Sequence, residues 1–173
     1  MGPSDSSRPR TVLHLRQMAS RSSLAESARP EAVLRARKGI RLSDQDVAVI
    51  RAAYEAFNRA DIPAVLGAFD EQIEWTEPGG GKAPRGTFRG PTSVANDVFA
   101  TVPQQFTEFQ AQAERFIDAA EGRLVVTGTF RGRSKDGETL DTPFAHVWQM
   151  RNGKATSFEQ YVATEPWMRA WGG

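Results

Sequence analysis

Two ionisable side chains in this chain sit within apolar runs, and both are of types that move protons. His146 lies inside Phe144-Ala145-His146-Val147-Trp148, and Glu77 ends the run Glu74-Trp75-Thr76-Glu77 before Pro78. Alternate residues of a strand share a face. Phe144, His146 and Trp148 therefore look one way, and Ile73, Trp75 and Glu77 look one way on their own strand. Ile73 and Trp75 should turn inward, so Glu77 follows them. A carboxylate drawn into apolar surroundings has a raised pKa and can accept a proton near neutral pH. An imidazole beside two aromatics can serve as an acid, or as a neutral donor to a ligand oxygen. Together they could form a buried acid/base pocket. Plainer roles are open to each. Glu77 would also suit a solvated loop end, and His146 a core position bonded to a neighbouring strand or a water. Trp75, Phe144 and Trp148 either fill a core or line an apolar cone suited to a flat, ring-containing ligand. Tyr54 reads as a helix core residue whose hydroxyl reaches a polar partner.

Composition narrows the chemistry. The 173 residues include no cysteine and two histidines, His14 and His146, so thiolate chemistry and a multi-histidine metal site within one copy are excluded. No metal or other cofactor is expected. The apolar runs are too short to span a membrane, and a cytoplasmic protein is expected. Residues 1–42 carry nine Lys/Arg against three Asp/Glu, whereas residues 43–173 carry thirteen against eighteen. The second part is mildly acidic, which argues against a nucleic-acid surface there. The first part is rich in Ser and Arg, is interrupted by Pro3, Pro9 and Pro30, and lacks aromatics. It reads as a basic, disordered leader, or as a start extended beyond an initiator at Met18. Thr11–Ala19 and Glu31–Arg41 could form basic amphipathic helices, and a targeting or anchoring role is the alternative.

The elements that must position Glu77 and His146 begin at Ser43, where Ser43-Asp44-Gln45-Asp46 resembles a capping box. Val47, Ile50, Tyr54 and Phe57, with Ala53, give that helix one apolar face. Asp61-Ile62-Pro63 starts a second helix, with Val65, Leu66 and Phe69 apolar. Residues 72–77 read as a strand, ended by Pro78-Gly79-Gly80-Gly81, and 82–89 as a loop or irregular hairpin. A third helix opens at Gly90-Pro91, with Val94, Val98, Phe99 and Val102 inward. Three or four long strands follow, over about 106–118, 122–133, 139–151 and 154–163, the later ones joined at Asp136-Gly137 and Asn152-Gly153. Trp167 and Trp171, four apart, suit a short terminal helix that docks apolar rings. Three helices against an antiparallel sheet make an α+β fold, a cone with an apolar interior if the sheet is highly curved.

Residues 43–171 resemble the SnoaL-like branch of the NTF2-like superfamily, which includes ketosteroid isomerases, polyketide cyclases and limonene epoxide hydrolases. The resemblance is carried by Tyr54-Glu55-Ala56-Phe57-Asn58-Arg59-Ala60-Asp61-Ile62, Trp75-Thr76-Glu77-Pro78, Gly86-Thr87-Phe88-Arg89-Gly90-Pro91, Asp141 through Trp148, Asn152-Gly153-Lys154 and Phe158-Glu159-Gln160-Tyr161. It implies an NTF2-like cone spanning residues 43–173, with the ligand held between helices and sheet. In the isomerases the base is an aspartate followed by proline, a place held here by Glu77-Pro78. Their protonated aspartate, which donates to the substrate oxyanion, matches His146. Their helical tyrosine falls beside Ala53, one residue from Tyr54. The key aspartate on the last strand of the cyclases and epoxide hydrolases matches Gln160, which can orient a water or a carbonyl but cannot exchange a proton. The resemblance therefore weighs against epoxide hydrolysis.

The expectation is a small cofactor-independent enzyme of isomerase, cyclase or lyase type. Glu77 would take a proton next to a carbonyl of an apolar ring-containing substrate. His146 would hold the oxyanion, and Tyr54, Trp75, Phe144, Trp148 and Gln160 would bind the substrate. The alternatives are a non-catalytic module binding an apolar small molecule in the same cone, and an assembly domain using the leader as its arm. The family is often paired through the open sheet face, which implies a homodimer. Val125 and Phe130 are expected on that face.

Overall fold

A computed structural model describes residues 42–173. The basic leader and its two expected helices lie outside the described residues.

The first helix, α1 (Asp44–Asn58), opens with the expected capping box. Ser43 Oγ accepts the Asp46 backbone N–H, and the Asp46 carboxylate accepts the Ser43 backbone N–H. Ile50, Ala53, Tyr54 and Ala56 form its buried face. The helix ends at a left-handed Ala60 (φ 58°), with Ala60 N–H donating to Phe57 O and Asp61 N–H to Ala56 O. This is a Schellman ending. Asn58, the last helical residue, donates to Ala111 O and accepts Ala111 N–H, so the end of α1 is pinned to a strand.

Asp61 accepts Ala64 N–H and caps α2 (Ile62–Gly67). The helix stops at Gly67. Phe69, expected as an apolar residue of that helix, instead opens strand β1 (Phe69–Pro78) and is buried there. The reason is the sheet: Ala155 N–H donates to the Ala68 carbonyl, drawing this segment into strand pairing. The stretch 82–89 contains strand β2 (Arg85–Arg89), antiparallel to β1.

The expected third helix is broken. Gly90–Ser93 (α3) is α-helical, Val94–Val98 widens to a π turn, Phe99–Thr101 tightens to a 3₁₀ turn, and Val102–Gln105 (α4) is α-helical again. Pro103 has no N–H to continue the ladder. The break nevertheless leaves Val94, Val98 and Phe99 buried, as the apolar spacing required.

Strands β3 (Phe106–Asp118), β4 (Arg123–Ser134), β5 (Thr139–Arg151) and β6 (Lys154–Val162) match the expected positions within a residue or so. The Asn152-Gly153 turn carries positive φ at both residues, which suits the twist of a tight hairpin. Sheet order is β2-β1-β6-β5-β4-β3. All neighbours are antiparallel except β1 and β6, which run parallel. The sheet curves around α1 and the broken helix without closing. A last helix, α5 (Thr164–Ala170), returns across the interior.

Even-numbered residues of β4 and β5 face inward. Phe130 is therefore a core residue and not an outer one. It and Val125 differ by an odd number, so alternation puts them on opposite faces, and Val125 alone of the two lies outside.

Candidate functional site

Glu77 turns inward with Ile73 and Trp75 and is 6% exposed. Its Oε1 accepts the Trp75 indole N–H at 2.6 Å. A carboxyl group two residues along the same face thus gains one fixed donor, which orients it. Burial raises its pKa from 4.5 to about 8, more than the opposing Trp75 hydrogen bond lowers it.

His146 is 3% exposed on β5, between Phe144 and Trp148 on the inner face. Phe144 stacks on its ring, with centroids 4.0 Å apart. Gly128 makes room for this stack. It pairs with Phe144 across β4 and β5, and a Cβ there would lie 2.7 Å from the Phe144 ring and 2.0 Å from Gln112 O. Burial lowers the His146 pKa to about 3, with the Gln160 side chain opposing, so the ring is neutral at physiological pH.

Tyr54 reaches His146 from α1. Its hydroxyl lies 2.6 Å from His146 Nδ1 and accepts the Trp148 indole N–H at 3.2 Å. Burial pushes the phenol well above its ordinary pKa, so it stays protonated. Gln160 on β6 is buried and sits directly across from His146 in the strand register. Among the described residues, His146 Nε2, Gln160 Nε2 and Trp171 Nε1 are buried without hydrogen-bond partners.

These groups meet at one cavity of about 70 Å³. Glu77, His146, Gln160, Tyr54, Trp75 and Trp148 all line it. Phe144, expected in the lining, is not part of it and supports His146 from behind. The remaining wall is largely aromatic, with Phe57, Phe99, Phe109, Phe130 and Phe158 among its members. Trp75 stacks on Phe158, with centroids 3.6 Å apart.

Trp167 and Trp171 also line the cavity, a role not assigned to them from sequence. Their spacing pointed to docked rings but not to the surface that receives them. The glycine loop after β1 is that surface. Trp167 Nε1–H donates to Gly79 O at 3.1 Å, and Lys82 N–H donates to Trp171 O at 2.9 Å. Gly81 has φ +57°, and a Cβ on it would lie 2.7 Å from Trp171 O, so glycine is what allows this close approach.

The site offers a protonatable carboxyl group, a neutral imidazole and an amide around a mostly apolar space. Among the described residues no group of three or more His, Cys, Asp or Glu could hold a metal ion, and no helix is long and apolar enough to cross a membrane.

Comparison with known proteins gives concordant results. The family model of the SnoaL-like domain matches residues 50–158. An NTF2-like protein of unknown function from Burkholderia pseudomallei is 32% identical in a solved structure, with a TM-score of 0.70 over 76% of this chain and 100% of that one. TerC, co-crystallised with polyporic acid, is 30% identical, with a TM-score of 0.68 over 74% of this chain and 98% of that one. A putative polyketide cyclase from Pseudomonas putida shares the fold at 17% identity, with a TM-score of 0.57 over 70% of this chain and 94% of that one. No curated protein matches the sequence.

Proposed function

The chain belongs to the SnoaL-like family of NTF2-like proteins, and we propose that it is a small enzyme of isomerase, cyclase or lyase type. The observation that carries this reading is that Glu77 and His146, from strands at different places in the sheet, are both buried and line the same cavity. The fold alone would not support it, because one fold hosts many functions.

In this reading Glu77 is the base. Its carboxylate form takes a proton from a carbon next to a carbonyl, and Trp75 holds the other side of the carboxyl group in place. Negative charge then builds on the carbonyl oxygen. His146 meets that oxygen through Nε2, the ring nitrogen not engaged by Tyr54. A donor fixed in a dry site acts mainly on the transition state, where the charge is. Gln160, beside His146, orients the same oxygen or its neighbour. The aromatic wall receives the apolar body of the substrate. The co-crystallisation of TerC with polyporic acid supports an organic ligand for this chain.

Single-ring cavities are about 150 Å³, larger than the roughly 70 Å³ present here. A ring-containing substrate must therefore displace part of the wall. We assign that movement to α5, a helix of seven residues that supplies Trp167 and leads directly into Trp171. The family's pairing through the sheet also extends to this chain as a proposed homodimer.

A binding module is the second reading. Gln160, which cannot exchange a proton, stands where the cyclases and epoxide hydrolases carry a carboxylate. Thermal-shift screening of cyclic ketones, followed by proton exchange, separates the two. Exchange that is lost in Glu77→Gln supports the enzyme. Ligand stabilisation of wild type and variant alike, without exchange in either, supports the binding module.

A further inference from the structure

We propose that Tyr54 fixes His146 as the tautomer with its proton on Nε2, so that the cavity offers its ligand a donor there and selects a carbonyl or enol oxygen. The inference deepens the small-molecule reading of this cavity and rests on it for the ligand half alone.

The direction of the hydrogen bonds follows from what each group can do. An indole nitrogen only donates, so the 3.2 Å contact runs from Trp148 Nε1–H to the Tyr54 oxygen. The Tyr54 hydroxyl hydrogen then needs an acceptor, because Tyr54 is buried and stays protonated. Among the described residues its one acceptor in reach is His146 Nδ1, at 2.6 Å. If Nδ1 carried the proton instead, the tyrosine oxygen would accept twice and its own hydrogen would be stranded in the core. A buried donor left without an acceptor keeps its full desolvation penalty. Nδ1 is therefore the acceptor, and a neutral imidazole places its one proton on Nε2.

The chain Trp148 to Tyr54 to His146 ends at a donor with no partner. The Gln160 amide nitrogen and the Trp171 indole nitrogen are two more buried donors without partners, and their side chains line the same cavity. No Lys or Arg is among the described residues that line it. Donors without positive charge suit a carbonyl or enol oxygen. They suit a carboxylate or phosphate poorly, because its full charge would be buried beside a carboxyl group without a counter-ion.

Tyr54 thus acts as a positioning residue, and nitrogen NMR tests it. The chain has two histidines, so a His14→Gln variant leaves His146 as the single imidazole signal. Long-range proton–nitrogen correlations should show Nε2 bearing the proton and Nδ1 as a hydrogen-bonded acceptor. Tyr54→Phe should move the Nδ1 resonance toward that of a free acceptor nitrogen. A proton on Nδ1 in the otherwise native protein overturns the proposal, and that spectrum decides the matter even if Tyr54→Phe fails to fold. Unchanged ring shifts in a folded Tyr54→Phe variant overturn it as well. The ligand half is read with 1-indanone against indane, which has the same ring without the oxygen. The protein should hold the ketone about tenfold more tightly, the scale of a hydrogen bond to a buried donor, and Tyr54→Phe should reduce that preference. Equal binding of both, or of neither, overturns the selection of a carbonyl. A correct tautomer with no proton exchange on any ketone would sink the enzyme reading and leave the role of Tyr54 intact.

Discussion

Glu77 keeps its proton up to about pH 8 in the folded chain, against 4.5 as the ordinary value, and His146 stays neutral down to about pH 3, against 6.5. Each shift has a sign in stability. Between pH 4.5 and 8 the unfolded chain gives up a proton that folded Glu77 retains, so stability falls as pH rises. Between pH 6.5 and 3 the unfolded chain takes up a proton that folded His146 refuses, so stability falls as pH drops. The two slopes oppose each other from pH 4.5 to 6.5. Stability should therefore be flat there and decline on either side, by on the order of 2 kcal/mol from pH 6.5 to 8. Glu77→Gln should remove the alkaline decline, as read from urea unfolding at pH 6.5 and 8. A decline of the same size in the variant would show that Glu77 is not its source. On turnover, His146→Ala should lower the rate by about 10²–10³ once a substrate is in hand, the scale for losing one preorganised donor. A rate within threefold of wild type would assign the histidine to packing. Alternation along two strands was enough to turn Glu77 and His146 inward. It could not name the partner of His146, because Tyr54 is 92 residues away on a helix and only the crossing of α1 over β5 joins them. Phe144 shows the same limit: its face was legible, but its place behind the imidazole was not.

Helix α1 ends in a Schellman motif whose left-handed position is occupied by Ala60. A side chain there is strained, and glycine is the usual occupant. Ala60→Gly should raise stability by roughly 0.5–1 kcal/mol, visible as a higher urea midpoint at unchanged slope. A lower midpoint would mean that the methyl group packs usefully. The helix starts were plain in the sequence because Ser43 and Asp61 are caps with local partners. The long strands were plain because their turns carry Asp-Gly and Asn-Gly. Phe69 was misplaced because its final state depends on Ala155, far along the chain, drawing the segment into the sheet. The break in the third helix was hidden for a related reason. Apolar spacing fixes which residues point inward, and Val94, Val98 and Phe99 do so with the helix broken.

The described residues form a curved sheet whose concave face is covered by helices and whose convex face has no layer over it among those residues. Val125 and Val147 pair across that face, beside Ala145 and the 54%-exposed Tyr161. This apolar strip motivates the proposed homodimer, and light scattering at micromolar concentration should give twice the chain mass. A monomeric mass would contradict it, and in a dimer Val147→Glu should restore the monomer. The α+β architecture was legible from the order of elements and its NTF2-like form from the family resemblance, whereas the place of Trp167 and Trp171 in the cavity wall was not, since it depends on Gly81 meeting the Trp171 backbone. Catalysis requires that this cavity hold a working base. The most direct measurement is deuterium exchange from solvent into the carbon next to the carbonyl of a bound cyclic ketone, followed against pH. Exchange by the wild type should rise through about pH 8 as Glu77 ionises, and Glu77→Gln should show none. Exchange at equal rates in both proteins, or in neither, would contradict the assignment of Glu77 as the base.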